Sequence, residues 1–164
     1  MILTIDVLAE LENEHKKIRN TMLDIGESFE KGNLLSGMKL LGSINGLVGA
    51  HMKFEDDILY PMLRRSFGES IDSLIDEHTE VRVASTRLAE TLSNFHLSEM
   101  EQIVEGWWDI MPLLNHVDNC DTALRKMKKL SKQENYNLGE KLSEARSLKI
   151  PMLAWAKELD EYRL

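Results

Sequence analysis

The stretch His51-Met52-Lys53-Phe54-Glu55 sets an imidazole and a carboxylate four residues apart, among Val48, Ile58, Leu59 and Met62, whose spacing marks the inner face of a helix. Four residues along a helix turn a side chain by about 40° and raise it by about 6 Å, so this pair can reach one ion or a close pair. Buried imidazoles and carboxylates are costly unless something binds them. Three more histidines are placed in the same way: His15 between Leu11 and Ile18, His78 between Leu74 and Val81, and His116 beside Leu113 and Val117. The fifth, His96, falls in a turn, where a solvated side chain needs no explanation. Cys120 follows His116 by four residues and Asp121 by five. A five-residue step points a side chain some 140° away, so Asp121 reaches the site only through a local bulge, or across the helix surface to a second metal. Imidazole with carboxylate suits iron, and also zinc or manganese, whereas the lack of clustered thiolates argues against an iron–sulfur cluster or a Cys-type structural zinc site. Cys120 by itself reads as a small buried hydrophobe. Trp107, Trp108 and the methionines read as core packing.

Long helices must carry these residues. Leu8, Leu11, Ile18, Met22, Ile25 and Phe29 alternate three- and four-residue steps along a first helix, with His15 in the missing step, and Lys31-Gly32-Asn33 ends it. A second helix is predicted from about Leu35 to Arg65 on Met38, Leu41, Val48, Ile58 and Met62, closed by Phe67-Gly68. A third uses Ile71, Leu74, Val81, Leu88 and Leu92. Ser98 and Glu101 form a capping box that opens a fourth, carried by Ile103, Trp107, Ile110, Leu113, Val117, Leu124 and Met127, with a kink predicted at Pro112. The expectation is an all-α fold: an antiparallel up-down-up-down four-helix bundle over residues 1–130, followed by an amphipathic helical extension over residues 131–164 that packs on the bundle or on a partner. The extension is read from Leu138, Leu142, Ala145 and Leu148, and from a second stretch opened by Pro151 with Leu153, Trp155, Ala156 and Leu159. In such a bundle His15, His51, His78 and His116 lie within about two turns of their helix midpoints and converge on one interior site.

Composition narrows the function classes. The chain has 164 residues, a net charge of −8 and 43% hydrophobic residues, which fits one globular domain and argues against a nucleic-acid binder. A single cysteine allows no internal disulfide, and no run of eighteen apolar residues or signal peptide is apparent, so the expectation is a cytoplasmic protein that does not span a membrane. The oligomeric state is left open.

Residues of about 4–130 resemble the hemerythrin-like, or HHE cation-binding, family, through the His51 and Glu55 pair with Leu59-Tyr60-Pro61, the Glu14-His15-Lys16-Lys17-Ile18-Arg19 of the first helix and the Asp76-Glu77-His78-Thr79-Glu80-Val81 of the third. The resemblance implies a bridged non-haem di-iron centre, two irons per chain, with His15, His51, His78 and His116 as terminal ligands and Glu55 as a bridging carboxylate. Oxygen-carrying members have a second histidine where this chain has Leu74, which argues against reversible oxygen carriage and towards members linked to iron-centre repair, nitric-oxide chemistry or iron sensing. At the second bridge the chain mixes two family patterns: Asp121 matches the oxygen carriers, while Cys120 stands where the others place glutamate, and Glu12 or Glu80 is a further source of oxygen. The implied function is sensing, binding or handling of oxygen, nitric oxide or iron, with a small diatomic ligand. One alternative is a di-iron redox or cluster-repair enzyme, in which Cys120 takes part. The other is a degenerate bundle with one metal or none, working as an interaction module.

Overall fold

The computed structural model describes residues 5–127 and 129–153, which form helices and no strands. Helix α1 spans Val7–Glu30, begins at Asp6, whose side chain accepts from the Ala9 amide, and ends in a turn where Gly32 takes a positive φ of 65°. Asn33 then caps α2, Leu34–Phe54. A π-turn, Glu55–Leu59, joins α2 to α3, Tyr60–Phe67, and a 3₁₀ turn, Gly68–Ile71, leads into α4, Asp72–Ser93. Helix α5, Glu99–Arg125, starts at the Ser98–Glu101 capping box and runs on through Pro112. A second capping box, Ser131 with Glu134, opens α6, Lys132–Ser147.

The long helix predicted from Leu35 to Arg65 is thus interrupted at its chemical centre. Pro61 has no N–H to give to the carbonyl of Asp57, and its ring crowds that carbonyl. The turn before it opens to i→i+5 bonding, with the Tyr60 amide donating to the Glu55 carbonyl.

Helix α1 packs on α2 and α5, and α4 packs on α5 and α2, so the four closing contacts form a ring. The core inside it comes in two apolar clusters. One gathers Ile18, Met22, Ile25, Ile44, Val48, Val81, Leu88, Ile110, Leu113 and Val117. The other gathers Leu11, Phe54, Leu59, Tyr60, Leu63, Leu74 and Leu124, with Leu138 and Leu142 of α6. The histidine-bearing level lies between them. Most of the expected stripe is buried, but Met38 is exposed and α2 instead turns Leu34, Gly37, Leu41, Ile44 and Val48 inward. Trp107 packs against the first cluster, whereas Trp108, expected in the core, is 72% exposed.

The close approach of α1 and α5 depends on two glycines. A Cβ at Gly106 would lie 2.3 Å from the Phe29 ring, and one at Gly26 would lie 2.4 Å from the Trp107 ring. Each helix therefore sets an aromatic ring into the other's gap. Helix α6 contacts α2 and α1 and is tied to the start of α1, where the Val7 amide donates to Asn135 Oδ1 at 2.9 Å. The chain after α6 crosses α2 at Gly49, where a Cβ would come within 1.9 Å of the Ile150 carbonyl oxygen, and inserts Met152 into the first cluster. Trp155, Ala156 and Leu159 of the expected second stretch lie outside the described residues. Among the described residues no helix is long and apolar enough to cross a membrane.

Candidate metal centre

Each helix of the ring delivers one histidine to the same interior level: His15 from α1, His51 from α2, His78 from α4 and His116 from α5, all buried. They meet as two pairs. The Nε2 atoms of His15 and His51 are 2.8 Å apart, and those of His78 and His116 are 2.9 Å apart. Glu55 stands between the pairs with no exposure. Its Oε1 is 3.1 Å from His51 Nε2 and 3.5 Å from His15 Nε2. Its Oε2 is 3.0 Å from His78 Nε2 and 3.7 Å from His116 Nε2. One carboxylate thus turns one oxygen to each pair.

The outer nitrogen of each of these four histidines meets a carboxylate. His51 Nδ1 donates to Glu14 at 2.7 Å, His78 Nδ1 to Asp56 at 2.7 Å, His116 Nδ1 to Glu77 at 3.0 Å and His15 Nδ1 to Asp121 at 2.5 Å. An ionised carboxylate only accepts, so each Nδ1 carries the proton and each Nε2 of a neutral ring presents a bare lone pair to the centre. Each of these carboxylates is the sequence neighbour of an inward-facing residue: Glu14 of His15, Asp56 of Glu55, Glu77 of His78 and Asp121 of Cys120. Successive residues in a helix diverge by about 100°, so one of each doublet enters the site while the other swings to the histidine of an adjacent helix. The sequence shows these acid doublets, but only the pairing of helices says which histidine each one holds.

Asp121, expected to reach the site through a bulge in the fourth helix or across its surface to a second metal, sits on the outer side of His15, and α5 is regular there. The bulge lies in the second helix instead. It makes the five-residue step from Glu55 to Tyr60 little more than one full turn, so both residues face inward. The Tyr60 hydroxyl lies 3.3 Å from His78 Nε2 and 3.4 Å from His116 Nε2. Sequence reasoning missed Tyr60 as a site residue because regular helical geometry points it away. Cys120 Sγ reaches Glu55 Oε1 at 3.0 Å. Glu12 is half-buried and Glu80 exposed, and neither joins the donor groups found among the described residues, which are His15 with Glu55 and Cys120, and Glu55 with His78 and His116. Leu74, at the level where a further nitrogen would stand, is buried in the second apolar cluster.

Two bare nitrogens under 3 Å apart, beside an anionic oxygen, are stabilised only by a cation or by added protons. Ligands about 2.1 Å from an ion and at right angles to each other are about 3 Å apart, which is the spacing of both histidine pairs. Protons serve where no metal is bound. Burial opposes charge on His51, but the Glu55 charge and the hydrogen bonds to Glu14 and Glu55 outweigh it and raise its pKa to about 10. Burial likewise opposes charge on His116, and Glu55 and Glu77 raise it. Burial would raise Glu55, yet the His51 charge and hydrogen bonds from His116, His15 and His51 hold its carboxyl well below the usual range. Burial, then the Glu55 charge, pushes both the Cys120 thiol and the Tyr60 phenol well up.

A family model, the hemerythrin HHE cation-binding domain, matches residues 6–127. The chain belongs to that family. No curated protein and no solved structure matches it. The match covers the four-helix ring and the whole donor set, and it stops before α6, so the contacts that α6 makes with the cation-binding domain are read from this chain alone.

Proposed function

We propose that this hemerythrin-like domain holds two iron ions, one between His15 and His51 and one between His78 and His116, bridged by Glu55. In this reading the protein senses, binds or handles oxygen, nitric oxide or iron in the cytoplasm. The single observation that carries it is Glu55, fully buried, with one carboxylate oxygen directed to each histidine pair. The reading takes the four helices to run up-down-up-down, which the ring of contacts supports. Bound iron would supply the redox and gas-binding chemistry. The chain's own part is to fix the donors. Four carboxylates hold the imidazoles in the tautomer that presents Nε2, and such outer partners typically set affinity by 10- to 100-fold. Apolar side chains keep bulk water out. Beside His15, His51 and His116, a cavity of about 10 Å³ lined by Ile18, Val48, Val81, Leu113 and Val117 leaves room for about one water-sized molecule. Its apolar wall suits a diatomic gas better than a charged substrate.

Iron content after purification from iron-supplied cells tests the reading. The expectation is about two irons per chain in the native sequence and one or fewer in Glu55→Ala. Less than half an iron per chain in the native protein would sink it.

A further inference from the structure

We infer that Cys120 is itself a metal ligand, its thiolate completing the site of His15 and His51, so that the two ends of the centre differ in kind. This rests on the two-metal reading above and adds a sulfur donor to one end of it. The thiol is fully buried and does not merely fill space: Sγ lies 3.0 Å from Glu55 Oε1, and the donor atoms of Cys120, Glu55 and His15 all fall within 4.8 Å of one another. Cys120 follows His116 by one regular helical turn, so the helix that gives a nitrogen to one ion gives the sulfur to the other.

The other candidates for this position are spent or distant. The Asp121 carboxylate is held by His15 Nδ1 and lies 3.7 Å from Arg19. The Tyr60 hydroxyl stands at the opposite pair. As the chain's single cysteine, Cys120 has no disulfide partner. Without metal its S–H donates to Glu55 Oε1, the same oxygen that faces His15 and His51. A cation there claims that oxygen's lone pair and deprotonates a coordinating thiol outright. The S–H bond breaks, the sulfur–metal bond forms with the sulfur's electron pair, and the proton leaves to solvent, with no change of oxidation state. The Tyr60 O–H, 3.6 Å from Sγ, is placed to donate to the thiolate so formed. Sulfur at one end and only nitrogen and oxygen at the other make the first end the softer site.

Zinc alone is the probe. The full chain is loaded with Zn(II), its metal content is measured, and zinc-edge X-ray absorption is recorded for the native protein, Cys120→Ser and Cys120→Ala. Cobalt(II)-loaded samples are examined for a thiolate-to-metal charge-transfer band. The expected native result is a sulfur shell at about 2.3 Å, about half a sulfur per ion averaged over two sites, together with the cobalt band, and both vanish in the variants. Ions bound at two per chain with no sulfur shell would overturn the assignment and leave the two-metal reading standing. A sulfur shell that survives in either folded variant would overturn it equally. Less than half an ion per chain would remove both. The native spectrum alone decides whether sulfur is bound, so a variant that fails to fold does not block the test.

Discussion

At the scale of single residues, the centre is built from doublets in which one member faces in and its neighbour serves another helix. Asp121 shows what the arrangement costs and gives. Burial would raise its carboxyl, but the hydrogen bond and charge of His15, then the charge of Arg19, hold it low, so it stays an acceptor for Nδ1. Glu14 behaves in the same way: burial would raise it, and His51 and then Arg146 outweigh that. Asp121→Asn and Glu14→Gln should therefore weaken zinc binding by about 10- to 100-fold while leaving the number of ions per chain unchanged. Competition with a chromophoric chelator reads both quantities. A fall in stoichiometry for Asp121→Asn would instead make that carboxylate a direct ligand.

At the scale of elements, the π-turn and α6 do what no single side chain does. The π-turn spends one extra residue so that His51, Glu55 and Tyr60 share one inward face. Helix α6 braces the site from outside the matched domain: Arg146 Nε donates to Glu14 Oε1 at 3.0 Å, and Glu14 Oε2 holds His51. Arg146→Ala should weaken zinc binding measurably, by less than Glu14→Gln does, because it loosens the carboxylate without removing it; the same competition assay orders the two variants. The tight seam between α1 and α5 gives a separate expectation. In Gly106→Ala the new methyl meets the buried Phe29 ring, and overpacking of this kind costs about 1–3 kcal/mol. A lower urea midpoint with unchanged slope would report it.

At the scale of the whole molecule, ligands drawn from four helices make metal binding and folding one equilibrium. An ion that binds only the folded chain adds about 2.7 kcal/mol at a free concentration of 100 times its Kd. The melting temperature should accordingly rise on adding zinc and fall on adding a chelator, and Glu55→Ala should abolish most of that difference. Calorimetry of the native and variant chains, with and without chelator, makes the comparison. A melting temperature indifferent to metal would mean that the folded chain binds no ion in preference to the unfolded one, and would favour the degenerate bundle over the two-metal site.

The sequence by itself determined that four long helices exist, that each carries one histidine on its apolar face, and that Glu55 accompanies His51. Periodicity is local, and a polar residue that breaks it is visible without coordinates. Tertiary structure decided how those residues are used. Whether Asp121 or Cys120 enters the centre depends on which way α5 is rotated against α1, and a residue-by-residue pattern does not contain that angle. Tyr60 joined the site through a turn of i→i+5 bonding before Pro61, a departure from the regular 3.6-residue period on which the reading relied. The pairing of His15 with His51 and of His78 with His116 arises from contacts between helices at 2.8 and 2.9 Å, which exist only once the ring has closed.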